Sequence, residues 1–149
     1  MIVSRHGVRS AITSPAEMAL WARDPWPARS VPPGDLTPRG AQLATQMGRY
    51  YRQYLDKQGA TQAEGCPARG SVYVYADNVQ RTRFTAQALI EGLGPGCGIT
   101  YRSAGDGPVD RLFHPLGAGI CKLDPMVAQT RVLERAGGNL NGLPRDLKV

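Results

Sequence analysis

Val72-Tyr73-Val74-Tyr75-Ala76 is a short β-branched and aromatic run bounded by a glycine and an aspartate, and it passes through Asp77-Asn78 into residues of helical character. A strand that hands over to a helix within a few residues is the repeating unit of parallel α/β sheets. The helix is expected over residues 80–93 and stops at Gly94-Pro95-Gly96. The same alternation runs on both sides. Met1-Ile2-Val3-Ser4 is apolar and reads as the end of a strand, with residues 5–9 as the loop behind it. Thr37 can cap a helix that opens on Pro38, where proline loses no hydrogen bond, and that helix runs to about Leu55. Leu43, Met47, Tyr50, Tyr51, Tyr54 and Leu55 recur at helical spacing and are expected to form its apolar face. Residues 98–101 offer another short strand. The order strand, helix, strand, helix, strand predicts an α/β fold with a mainly parallel sheet, incomplete at its C-terminal side.

The remaining segments are irregular. Pro15, Pro25, Pro27, Pro32 and Pro33 forbid a long helix over residues 14–34, where Trp21 and Trp26 are expected to pack the segment down. Residues 58–70 form a polar loop. From Ser103 the chain is rich in glycine and proline, a helix is expected over residues 125–136, and residues 137–149 have no evident core face. There is no internal repeat and no low-complexity segment, so residues 1–149 are read as part of one domain.

The composition, 42% hydrophobic and 20% charged, is that of a globular chain. No apolar run approaches the roughly eighteen residues of a transmembrane helix. Residues 1–4 are too short for a signal peptide, and a motif this close to Met1 suggests a clipped or mis-started chain. The net charge of +6 points to an anionic partner. Its arginines are dispersed and no nucleic-acid motif is present, which favours a small anionic substrate over nucleic acid or a membrane. Three cysteines, Cys66, Cys97 and Cys121, and two histidines, His6 and His114, offer no zinc-ligand spacing. No metal or cofactor is expected, and the oligomeric state is left open. Cysteine count alone allows one disulfide with an orphan or three free thiols.

The chemistry concentrates in Arg5-His6-Gly7-Val8-Arg9. A neutral imidazole can attack phosphorus and form a phospho-enzyme. Guanidinium groups on either side would clamp the non-bridging oxygens through planar donor forks that stay charged, and would stabilise the transition state. Glycine beside the histidine leaves room for close approach. Arg81 stands at the start of the helix that follows the strand at residues 72–76, and a helix N-terminus also favours an anion. Two strand-to-helix transitions can therefore converge on one phosphate. Arg-His-Gly alone is a weak signal, since a surface histidine in a basic turn gives the same tripeptide. Arg9, the preceding strand and Arg81 strengthen it.

Arg5-His6-Gly7-Val8-Arg9 resembles the RHGxRxP signature of the histidine acid phosphatases. Leu36-Thr37-Pro38-Arg39-Gly40 with Met47-Gly48-Arg49-Tyr50-Tyr51-Arg52 resembles the family's first long helix. Asp77 through Thr82 resembles its second phosphate-clamp segment, and Asp110-Arg111-Leu112-Phe113-His114-Pro115-Leu116 a later loop. The resemblance is to the bacterial periplasmic branch, which holds phytases and glucose-1-phosphatases. It implies a phosphoglycerate-mutase-like α/β sandwich, a phosphorylated nucleophile at His6, phosphate binding by Arg5, Arg9 and Arg81, a substrate contact near Thr13, and a periplasmic location. It also implies a disulfide between Cys66 and Cys97, worth about 3–4 kcal/mol through restriction of the unfolded chain, and a partner for Cys121 outside this chain.

Two departures qualify what the resemblance implies. Ala11 stands near the position of the signature proline. The family's His-Asp dipeptide, whose aspartic acid protonates the leaving group, has no counterpart, because His114 is followed by Pro115. His114 reads as an ordinary loop histidine. The general acid, typically worth 10²–10⁴-fold in rate, is expected beyond these residues. The alternatives are a catalytically incomplete phosphate-binding remnant, a phosphoglycerate-mutase-like transferase and, least favoured, a nucleic-acid binder. The isolated chain is expected to be poorly soluble or molten.

Overall fold

The computed structural model describes residues 1–61, 65–105 and 109–138. The chain divides into two compact units, Met1–Asp110 and Arg111–Val149. The first holds α1 (Pro15–Ala19), α2 (Pro38–Lys57), β1 (Val74–Tyr75), α3 (Gln80–Leu93) and β2 (Tyr101–Arg102). β1 and β2 pair in parallel, Val74 beside Tyr101 and Tyr75 beside Arg102, with α3 as the crossover between them. The βαβ unit predicted from residues 72–101 is thus present. Its strands are shorter than the apolar runs, and the second overlaps the expected span only at Tyr101.

The expected strand at residues 1–4 does not form. Met1, Ile2 and Val3 are exposed, and a strand needs a neighbour to pair its backbone. That pairing begins later in the chain. Arg9 forms an antiparallel bridge with Leu36, flanked by Thr37 N–H to the Val8 carbonyl at 2.9 Å and Ser10 N–H to the Asp35 carbonyl at 2.9 Å. Residues 8–10 are thereby zipped to residues 35–37.

The proline-rich segment carries the short helix α1. Ser14, Pro15 and Glu17 build a reciprocal capping box, with the Glu17 N–H on the Ser14 hydroxyl and the Ser14 N–H on the Glu17 carboxylate. That Ser-Pro-x-Glu pattern was legible, and the density of prolines hid it. Trp26 donates from its indole N–H to the Met18 carbonyl at 2.8 Å, so one of the two tryptophans does pin the segment.

α2 begins as expected on Thr37, whose hydroxyl accepts from Gly40 N–H at 3.0 Å. Its packed face is not the apolar one. Gly40, Ala44 and Gly48 are the buried residues of α2, whereas Leu43, Met47, Tyr50 and Tyr54 are exposed. The opposing face of α3 offers Thr85, Ala88 and Gly92, also buried. A Cβ on Gly48 would collide with the Leu89 carbonyl oxygen, and one on Gly92 with that of Thr45. The two backbones approach so closely that only small residues fit, and the gain is close packing along the whole crossing. Cys66 and Cys97 form a disulfide with Cα atoms 5.4 Å apart, tying the loop after α2 to the turn after α3. Arg52 braces the same corner through Asp56 at 2.9 Å and the Gly65 carbonyl at 2.8 Å. Asp110 is fully buried and accepts from the Tyr75 hydroxyl at 2.9 Å, a bond that raises the Tyr75 pKa above its ordinary value.

The second unit contains turns and α4 (Pro125–Arg135). Asp124 caps α4 by accepting from Met126 N–H at 2.9 Å and Val127 N–H at 3.2 Å. His114 and Cys121 are exposed there, and Cys121 is a free thiol. Residues 139–149 of the expected featureless tail lie outside the described residues. Among the described residues no helix is long and apolar enough to cross a membrane.

Candidate active site

The segment around His6 is held from α2 and α3. The Thr37 hydroxyl that caps α2 also donates to the Val8 carbonyl at 2.9 Å. The Gly7 N–H donates to the Thr85 hydroxyl of α3 at 2.9 Å. A Cβ on Gly7 would come within 2.8 Å of the Gly40 carbonyl oxygen, and one on Gly40 would strike the Val8 carbonyl. Gly7 and Gly40 thus let the loop lie directly on the first turn of α2. This is a different use of Gly7 from the one its position beside His6 suggested.

His6 is half-buried, and its Nδ1 lies 2.8 Å from the Gly7 carbonyl oxygen. A carbonyl only accepts, so Nδ1 carries the proton, and in the neutral ring the lone pair is then on Nε2. That is the tautomer of a nucleophile aimed by its far nitrogen.

Arg81 is the second residue of α3. Its Nε is buried without a hydrogen-bond partner, and its Nη1 would lie 3.9 Å from a Cβ on Gly34. Gly34 adjoins residues 35–37, the strap zipped to residues 8–10, and Leu36 N–H also donates to the Gln80 side chain at 3.0 Å. The strap therefore joins the Arg9 region to the Arg81 turn. Arg9 is half-buried and donates from Nη1 to the Ser10 carbonyl at 2.9 Å, and Arg5 is exposed beside His6. Among the described residues none of Arg5, Arg9 and Arg81 is paired with a carboxylate. The N-cap of α3, Val79, makes no side-chain capping bond.

Thr13 is half-buried, and its carbonyl accepts from Arg29, which also reaches Met18 Sδ at 3.8 Å. What the structure shows at Thr13 is this backbone anchor. Sequence reasoning did not single out Thr85, Gln80, Ser10 or Arg29. For Thr85 a signal existed, since a hydroxyl four residues after Arg81 lies on the same helical face. The others act through backbone contacts that span many residues and leave no local pattern. Among the described residues no group of three or more His, Cys, Asp or Glu could hold a metal ion.

Residues 1–139 match the family description "Histidine phosphatase superfamily (branch 2)", and the chain belongs to that family. It is 42% identical over 141 residues to phytase AppA of Escherichia coli (strain K12), a match covering 94% of this chain and 33% of the relative. It is 38% identical to a glucose-1-phosphatase of Salmonella typhimurium over 78% of this chain and 29% of the relative. The solved structure of the phytase from Citrobacter braakii superposes with a TM-score of 0.83 at 38% identity, covering 92% of this chain and 34% of that one. The chain thus spans about a third of the length of the relatives it matches.

Proposed function

We propose that the chain carries the phosphate-accepting half of an acid phosphatase that hydrolyses phosphate monoesters through a phosphohistidine on His6. The observation that carries this reading is the pairing of His6, protonated on Nδ1, with arginines that have no carboxylate partner among the described residues. Nε2 attacks phosphorus, the P–N bond forms as the ester P–O bond breaks, and the leaving oxygen takes a proton from solvent water. Water then attacks the phosphohistidine and releases inorganic phosphate. Arg5, Arg9 and Arg81 hold the non-bridging oxygens throughout, and the Nδ1–H bond to the Gly7 carbonyl favours the positive charge that develops on the ring. Thr13 would contact the part of the substrate that is not transferred. The names of the relatives support a phytate- or sugar-phosphate-type substrate. A periplasmic location is supported by the Cys66–Cys97 disulfide, since disulfides persist in oxidising compartments.

A second reading is favoured by one sequence fact, the absence of a His-Asp dipeptide. In it the chain binds phosphate without turnover. The two are separated by rapid alkaline denaturation during incubation with a phosphorus-labelled ester. Label on His6, lost in His6→Ala, supports the enzyme reading. Phosphate binding with neither label nor release of a natural alcohol supports the second, and the absence of both binding and label rejects each.

A further inference from the structure

We propose that Thr85 is a positioning residue for this site, a single hydroxyl that locks the peptide next to His6 to the helical turn that carries Arg81. The proposal rests on the phosphate-site reading of His6 and Arg81, and adds to it the element that sets their relation.

Three hydrogen bonds run in series. The His6 Nδ1–H donates to the Gly7 carbonyl at 2.8 Å, the Gly7 N–H donates to Thr85 Oγ1 at 2.9 Å, and the Thr85 O–H donates to the Arg81 carbonyl at 2.6 Å. The donor inventory closes without remainder, because a hydroxyl has one proton to give and lone pairs to receive. Gly7 uses both of its backbone groups, one toward the nucleophile and one toward α3. The link crosses 78 residues of sequence and is buried, Thr85 being 6% exposed.

A threonine inside a helix commonly bonds the carbonyl four residues back, and that bond alone would be local and dispensable. The second partner makes the difference. Without the hydroxyl, the Gly7 N–H faces a methyl group in a part-buried place, an unsatisfied donor that the loop relieves by turning the His6–Gly7 peptide. The next peptide, Gly7–Val8, pivots on the same Gly7 Cα, so the turn also displaces the Gly7 carbonyl that accepts from His6 Nδ1. Displacements of about 1 Å at such groups are known to cost up to about a hundredfold in rate.

The test compares the full chain with Thr85→Val, which keeps the shape and removes the hydroxyl, Thr85→Ser, which restores it, and Arg81→Ala. Binding of inorganic phosphate is measured by calorimetry, and the His6 tautomer by nitrogen-15 chemical shifts. Expected are a loss of phosphate affinity of about tenfold in Thr85→Val, consistent with one unsatisfied buried donor, recovery in Thr85→Ser, and a His6 ring that leaves the pure Nδ1–H form only in the valine variant. A valine variant with unchanged affinity and an unchanged His6 spectrum overturns the proposal. If the wild-type chain does not bind phosphate, the phosphate-site reading fails, and the His6 spectrum still decides the relay. If Thr85→Val does not fold, hydrogen exchange in the wild type decides, since a Gly7 amide that exchanges as fast as the exposed Val3 amide contradicts the bond to Thr85.

Discussion

The carbonyl oxygen of Leu89 occupies the place where a methyl group on Gly48 would have to go. Because the obstacle is backbone, no rotamer change relieves it, and α2 must lift away from α3. Gly48→Ala is therefore expected to destabilise the first unit by about 3 kcal/mol, the upper end of the usual overpacking cost. Alanine is the better helix former, so propensity predicts the opposite sign. Urea denaturation of Gly48→Ala beside the exposed control Gln42→Ala decides between them.

Arg81 presents a planar fork with a buried Nε, and lysine offers only a point charge. Arg81→Lys is expected to weaken inorganic phosphate binding about tenfold, since hydrogen bonds to charged groups are worth about 1.5–3 kcal/mol. Arg39→Lys, at an exposed position on α2, should leave it unchanged. Equal affinities for the two variants would remove Arg81 from the phosphate site.

The Cys66–Cys97 bond closes a separation of 31 residues. Its removal in a Cys66→Ser/Cys97→Ser double variant is expected to lower stability by about 3–4 kcal/mol, chiefly through the unfolded chain. The Arg52 contacts at the same corner should persist, so secondary structure by circular dichroism should survive at low denaturant. A denaturation midpoint that does not respond to reductant would contradict this.

Asp56 gives a pH dependence of definite sign. The Thr61 hydroxyl bond lowers its carboxyl pKa most, partial burial opposes, and Arg52 lowers it further, with the net position below the ordinary 3.8. A depressed folded-state pKa contributes stability that is present above the unfolded value and lost as pH falls through the folded one. Asp56→Asn should be less stable than wild type at pH 7, with the gap closing as the pH drops below 3.8. A stability difference that stays constant from pH 7 to pH 2 would refute the assignment.

Much of the fold was legible because its signals are local. Thr37-Pro38 opens α2, residues 80–93 form α3 at the expected boundaries, and α4 starts at Pro125 as expected. The strand read at residues 1–4 was wrong, because being apolar and β-branched does not supply a pairing partner, and the pairing falls at Arg9 and Leu36 instead. The choice of the Leu43, Met47, Tyr50 and Tyr54 face as the core of α2 failed for a related reason. Two stripes of helical period run along that helix, and side-chain size favours the one that the described residues leave exposed.

By itself the sequence determined the βαβ order, the capped start of α2, the span of α4, and the presence of one imidazole among arginines, since each depends on neighbours a few residues apart. Only the tertiary structure decided that Gly48 faces α3, that Gly7 rests on Gly40, and that Thr85 reaches Gly7. Those relations are set by how closely two backbones can approach and by which buried donor finds which acceptor. Neither is written in the periodicity of a single segment.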